Sequence, residues 1–165
     1  MTQSSQIVSA ADLARARVPG LFRRLATIVY ELMLVSGVVV FVAALFVIPV
    51  VLVTGVTVIE GPLRLALQGW VLSAILIYFG YFWSRGRQSL AMRAWRTRLV
   101  RDDGGELSGI DALRRLGFAA ITIAPFGAGL LWVLFDRDGL AWHDRLSDTR
   151  PVLLAKPARK RGGKT

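Results

Sequence analysis

Apolar positions along the chain fall into three long runs. From Leu25 to Val53 the only charge is Glu31, and the run is long enough to cross about 30 Å of hydrocarbon with tilt to spare. Leu65 to Trp83 gives 19 residues without a charge. Leu116 to Phe135 gives another 20, interrupted by Pro125, Gly127 and Gly129. The first two runs predict transmembrane helices. The third predicts either a kinked but complete span or two short arms that dip in and return. Broken backbone at that depth is tolerated only where protein or a wet cavity covers it. Trp70, Tyr81 and Trp83 flank the second run as interfacial anchors do.

A shorter period appears between the runs. In AWRTRLV, Trp95, Thr97 and Leu99 alternate with Arg96, Arg98 and Val100, which predicts a short strand, and RDDGGE after it reads as a turn. TRPVLL, residues 149–154, is also β-prone, with Pro151 confining it to an edge. If the two pieces pair, both lie on one side of the membrane. The predicted fold is an all-α membrane protein with two to three transmembrane helices, a third apolar segment that crosses or breaks, and short cytoplasmic β-like pieces. Residues 1–20 read as a polar amino-terminal tail, 21–154 as the membrane domain and 155–165 as a basic disordered tail.

Composition agrees with this pattern. The 165 residues are 54% apolar, above the usage of soluble domains. The polar start and the length of the first run argue against a cleaved secretory signal. The chain has no cysteine, which removes disulfides and thiolate chemistry.

A net charge of +10 would suggest nucleic acid in a soluble protein, but here the arginines sit beside apolar spans. Lys and Arg number four before residue 25, one in 54–64, eight in 84–115 and eight after 135. The charge bias therefore places the amino terminus and the 84–115 loop in the cytoplasm. Three complete spans would carry the last eight basic residues to the far side, so the bias favours a returning third segment. The final KPARKRGGKT suits anionic lipid headgroups.

Glu31 is the chemical anomaly. A carboxylate in a span costs a few kcal/mol and normally faces a bundle interior with a partner. Glu31 lies seven positions after Arg24, so both share a helix face about 10 Å apart, too far for direct contact within the helix. A neutral carboxyl bonded to a neighbouring helix, or a polar group from a later segment, would accommodate it. A shallow position at the interface is the plainer alternative. No enzyme is expected: His143 is the only histidine, its chain neighbours Asp144 and Ser147 do not make a triad by adjacency, and neither a metal cluster nor a phosphate loop is present. No cofactor is expected either.

Three separated stretches carry a resemblance: PGLFRRLATIVYELMLV, YFGYFWSRGRQSLAMRAWRTRLVRDDGG and LWVLFDRDGLAWHDRLSDTRPVLL. In this order and spacing they resemble the RDD family of small bacterial membrane proteins, over residues 19–154. The family arginine falls on Arg24. The first family aspartate falls on Glu31, a departure that keeps the charge and lengthens the side chain by one methylene. The second falls on Asp144. Arg23, Gln88, Ser89, Arg93, His143 and Thr149 are supporting residues of the motifs.

Where the family's middle motif usually has glycines, this chain has Arg87 and Ala91, so any ligand held by that backbone should bind less well. The resemblance implies a multi-pass protein of the bacterial inner membrane with a transport role for an unidentified ion or small solute. Cation/proton exchange is among the activities suggested for members. In that reading Arg24, Glu31 and Asp144 form one charged cluster. Two or three spans cannot enclose a pathway, so a homo-oligomer or a partner membrane protein is expected. The alternative is a noncatalytic accessory or assembly subunit.

Overall fold

The computed structural model describes residues 16–123 and 127–154. Pro125 and the basic tail at 155–165 lie outside them. The first apolar run forms helix α1, Leu21–Thr54, whose 34 residues extend about 51 Å at 1.5 Å per residue. Gly55 ends it in the left-handed region at φ 71°, returning its N–H to the Val51 carbonyl. The second run forms α2, Gly61–Phe82, with Pro62 in its first turn, where a missing N–H costs nothing.

Both helices are long and apolar enough to cross a membrane. Phe41, Leu52 and Val53 on α1 and Leu65 and Ile77 on α2 are all more than two-thirds exposed. A core helix of a soluble protein would have covered such side chains, whereas lipid accepts them. The Trp70 indole donates to the Val42 carbonyl at 3.0 Å, so this predicted anchor ties α2 to α1 through its polar atom.

After α2 the chain turns through Arg85 and Gly86, both at positive φ. It enters α3, Leu90–Trp95, whose N-cap Ser89 accepts the Met92 N–H. Arg96 ends α3 in the left-handed region, and β1, Thr97–Arg101, follows. The strand thus starts two residues later than the alternation predicts, because Trp95 belongs to the last turn of α3.

The expected partner is found. β2, Thr149–Leu153, pairs antiparallel with β1 in a register that sets Leu99 opposite Pro151 and Arg101 opposite Thr149. Val100 and Val152 are buried together, with Ala16 packed against them. Leu153 donates its N–H to the Arg17 carbonyl, so residues of the predicted polar tail border the ribbon.

The third apolar run starts earlier and ends sooner than its sequence span. Helix α4, Gly109–Ile123, opens on Ser108, which exchanges hydrogen bonds with Asp111 in a capping box. Beyond it come α5, Ala128–Leu131, a 3₁₀ turn at Trp132–Leu134, and α6, Trp142–Leu146. Gly129 lies directly against Thr122: a Cβ there would come within 2.6 Å of the Thr122 carbonyl oxygen.

The run therefore doubles back on itself, and the ribbon returns β2 to the side on which β1 lies. This matches the returning arms and not the kinked but complete third span. On α4 the polarity is inverted relative to a soluble helix: Asp111, Arg115 and Thr122 are buried while Ile110 and Ile121 are exposed. These three polar side chains point into the protein and these two apolar ones outward.

Candidate functional site

Arg24 and Asp144 meet, as the sequence leads one to expect, across 120 residues of chain. Arg24 Nη1 donates to Asp144 Oδ2, Nη2 donates to the Gly139 carbonyl at 2.6 Å, and Nε donates to the Pro19 carbonyl at 3.1 Å. Gly139 reaches this position at φ 65°, which suits glycine. Asp144 also accepts the Ala141 N–H at 2.9 Å, so its carboxylate both caps α6 and neutralises an arginine.

The third member of the cluster is not Glu31. It is Arg115 on α4, whose Nη2 donates to Asp144 Oδ1 and whose Nη1 donates to Thr149 Oγ1 at 2.5 Å. Thr149 shares a hydrogen bond of 2.7 Å with Ser147 Oγ, and Ser147 donates to the His143 carbonyl. Asp144 and Thr149 are fully buried. One carboxylate thus holds two guanidinium groups from two different helices. By charge count alone Arg115 belongs to the basic 84–115 segment, but the chain does carry a signal for it, since Arg114-Arg115-Leu116 opens the third apolar run as Arg23-Arg24-Leu25 opens the first.

Glu31 shares the buried face of α1 with Arg24, as seven-residue spacing requires, but has different partners. Tyr78 Oη donates to its Oε1 at 2.9 Å and Ser89 Oγ to its Oε2 at 2.5 Å. Since Ser89 Oγ also accepts the Met92 N–H, a directed chain of donors runs from the start of α3 to the carboxylate. Among the described residues no cation lies within ion-pairing distance of Glu31.

Of the other motif residues, Gln88 donates from Nε2 to the Thr97 carbonyl at 2.6 Å, fixing the turn onto β1. His143 is buried with Nε2 3.5 Å from Asp144 Oδ1. Arg23 and Arg93 stand outside the network, Arg93 exposed at the end of α3. The missing glycines cost no backbone conformation, because neither Arg87 nor Ala91 has positive φ; Ala91 is fully buried within α3.

A continuous depression runs beside these groups. A cavity of about 640 Å³, its mouth included, is lined by Arg24, Arg115, Arg98, Trp83, Thr97 and His143. A neighbouring groove of about 930 Å³, again with its mouth, contains Glu31 among Ile28, Leu32, Phe79 and Leu116. Thr27, Ile28, Trp83, Met92 and Ala119 border both.

The ion cluster sets a pH response. Burial pushes the Asp144 carboxyl up, but Arg115 and Arg24 outweigh it and hold it at about 2. Burial, reinforced by Arg115, pulls His143 down to about 4 against a weaker pull from Asp144. A depressed histidine means that the unfolded chain takes the proton first, so stability falls as pH drops from about 6.5 towards 4. The depressed aspartate adds a second loss as pH drops from about 3.8 towards 2. Thermal midpoints in detergent should therefore decline in two stages on acidification. His143→Gln should erase the upper stage and keep the lower; an unchanged upper stage would assign it elsewhere.

Comparison with known proteins follows the same residues. The sequence model described as the RDD family matches residues 18–148. No curated protein and no solved structure matches.

Proposed function

Because the chain belongs to the RDD family, we propose that it is a noncatalytic, multi-pass protein of the bacterial inner membrane that takes part in moving an ion or small solute, with Glu31 as the coupling carboxylate. The observation that carries this reading is the setting of Glu31. It lies inside an apolar helix, its partners among the described residues are the neutral hydroxyls of Tyr78 and Ser89, and it borders an open groove. A carboxylate in a span without a cation beside it is a natural place for a proton or a monovalent cation to bind and leave. The hydroxyl donors stabilise the negative form between such events, because each can turn its hydrogen towards or away from the carboxylate.

The groove is open to the side, and two long helices do not close a pathway. Transport therefore requires a second copy of the chain or a partner membrane protein to cover that opening. The arginine-rich segments at the helix ends suit an orientation with both the 84–115 segment and the β-ribbon in the cytoplasm, near anionic headgroups.

Purified protein in vesicles tests this reading. With Na⁺, K⁺ and proton gradients applied in turn, flux should fall about tenfold or more in Glu31→Gln and recover in part in Glu31→Asp, while Arg93→Gln behaves as wild type. Equal flux in Glu31→Gln would remove the carboxylate from the mechanism. A second reading, an accessory subunit that organises another membrane protein, draws on the buried Arg24–Asp144–Arg115 arrangement, in which each charged group has a partner and the geometry is specified. Absence of flux for every cation tested, with a stoichiometric membrane partner retained through purification, would favour it.

A further inference from the structure

The cavity beside the ion cluster contains polar groups that the fold leaves without partners. Trp83 Nε1, Thr97 Oγ1, Arg98 Nε and His143 Nδ1 are buried atoms with no hydrogen-bond partner among the described residues, and all four residues line that one cavity. Thr97 and His143 are only 5% and 6% exposed. A buried polar atom without a partner costs about 1–3 kcal/mol, so four around one space indicate that something polar fills it.

The chemistry of these groups narrows the occupant. Trp83 and Arg98 can only donate, and Thr97 can donate. The guanidinium groups of Arg24 and Arg115 border the same space with one shared carboxylate between them, which leaves a surplus of positive charge. The site is thus suited to an anion. His143 is the exception. With Nε2 turned to Asp144, Nδ1 is left as an acceptor and calls for a hydroxyl on the occupant.

The surroundings add an apolar half. The cavity continues into the groove along α1, where Ile28, Leu32, Phe79 and Leu116 form the wall. Arg24 to Leu32 is eight residues, about 12 Å along the helix towards its apolar middle. A charged end and an apolar channel in series match a phosphate headgroup with an acyl chain behind it.

We propose that the cavity holds the headgroup of an anionic, hydroxylated glycerophospholipid, with the phosphate on the Trp83, Thr97 and Arg98 donors and an acyl chain along the groove. The lipid is then a constituent of the site that seals the space between α1, α2 and α4. Retention of lipid is measured without any flux, so this inference stands or falls separately from the coupling role of Glu31.

Protein purified in mild detergent should retain phosphatidylglycerol in native mass spectra about tenfold better than phosphatidylcholine when the two are supplied at equal concentration. Millimolar inorganic phosphate should not displace it. The double variant Trp83→Phe/Thr97→Val removes two unpartnered groups and no existing hydrogen bond; it should still unfold in one cooperative transition without added lipid, at a midpoint lowered only by the smaller ring's lost packing on Phe79 and Met92, and lose about tenfold in retention. Arg98→Gln should weaken retention in the same direction. Equal retention of the two lipids, full displacement by inorganic phosphate, or unchanged retention in both variants would overturn the proposal; the last result would mean that ordered water alone fills the cavity.

Discussion

Asp144→Ala is expected to destabilise the protein by about 3–5 kcal/mol, enough to lower the thermal midpoint in detergent by roughly 10 °C. The reason is asymmetric. Asp144 is fully buried and is the shared acceptor of Arg24 and Arg115, so its removal leaves two guanidinium groups with no counter-charge. Each keeps its neutral partners, the Pro19 and Gly139 carbonyls and the Thr149 hydroxyl, which do not offset desolvation of a cation. The α6 cap at the Ala141 N–H is lost as well. Asp144→Asn should be milder, because the amide still accepts one bond. Adding Arg115→Met to Asp144→Ala should recover part of the loss, since it withdraws one stranded charge; a double variant as unstable as the sum of the two single changes would show that the arginines are not coupled through Asp144.

The second large effect concerns shape and not charge. Gly129→Ala should cost about 2–3 kcal/mol, because the new Cβ would meet the carbonyl oxygen and the Cβ of Thr122 at 2.6 Å. Backbone cannot rotate away as a long side chain can, so α5 must separate from the end of α4. That movement displaces Leu130, which is buried and lines the cavity beside Arg115. Gly117→Ala, on the same α4 helix with open space around it, is the control and should change little. Equal midpoints for the two variants would show that the doubling back of the third run is not a tight contact.

Much of this arrangement could be read in the chain, and the reasons differ from element to element. The two long helices are legible because their apolar runs exceed what any other structure in a membrane allows. The ribbon is legible from the two-residue period around Thr97 and Leu99, although Trp95 was claimed by helix α3. The pairing of Arg24 with Asp144 entered through family resemblance, and no local pattern would have joined residues so far apart. Glu31 shows the limit of spacing arguments: it is buried on α1 together with Arg24, as the spacing predicts, but its hydroxyl partners come from α2 and from the α3 cap, and hydroxyls leave no charge signal. The start of α4 is not marked by the charge-free run, which begins at Leu116, whereas the Ser108–Asp111 cap announces the helix seven residues earlier.

The separation of Arg24 from Asp144 along the chain also bears on how the protein is made. At about 5–20 residues per second, the first arginine waits on the order of ten seconds before its counter-ion is synthesised. Arg115 emerges shortly before Asp144, and β2 last of all, so β1 has no partner strand during that interval. The insertion of α1 and α2 and the closure of the charged centre are therefore separate events, ordered by translation. A chain halted before Asp144 carries two uncompensated arginines and an open strand edge, and it differs from the finished protein in charge balance as well as in length.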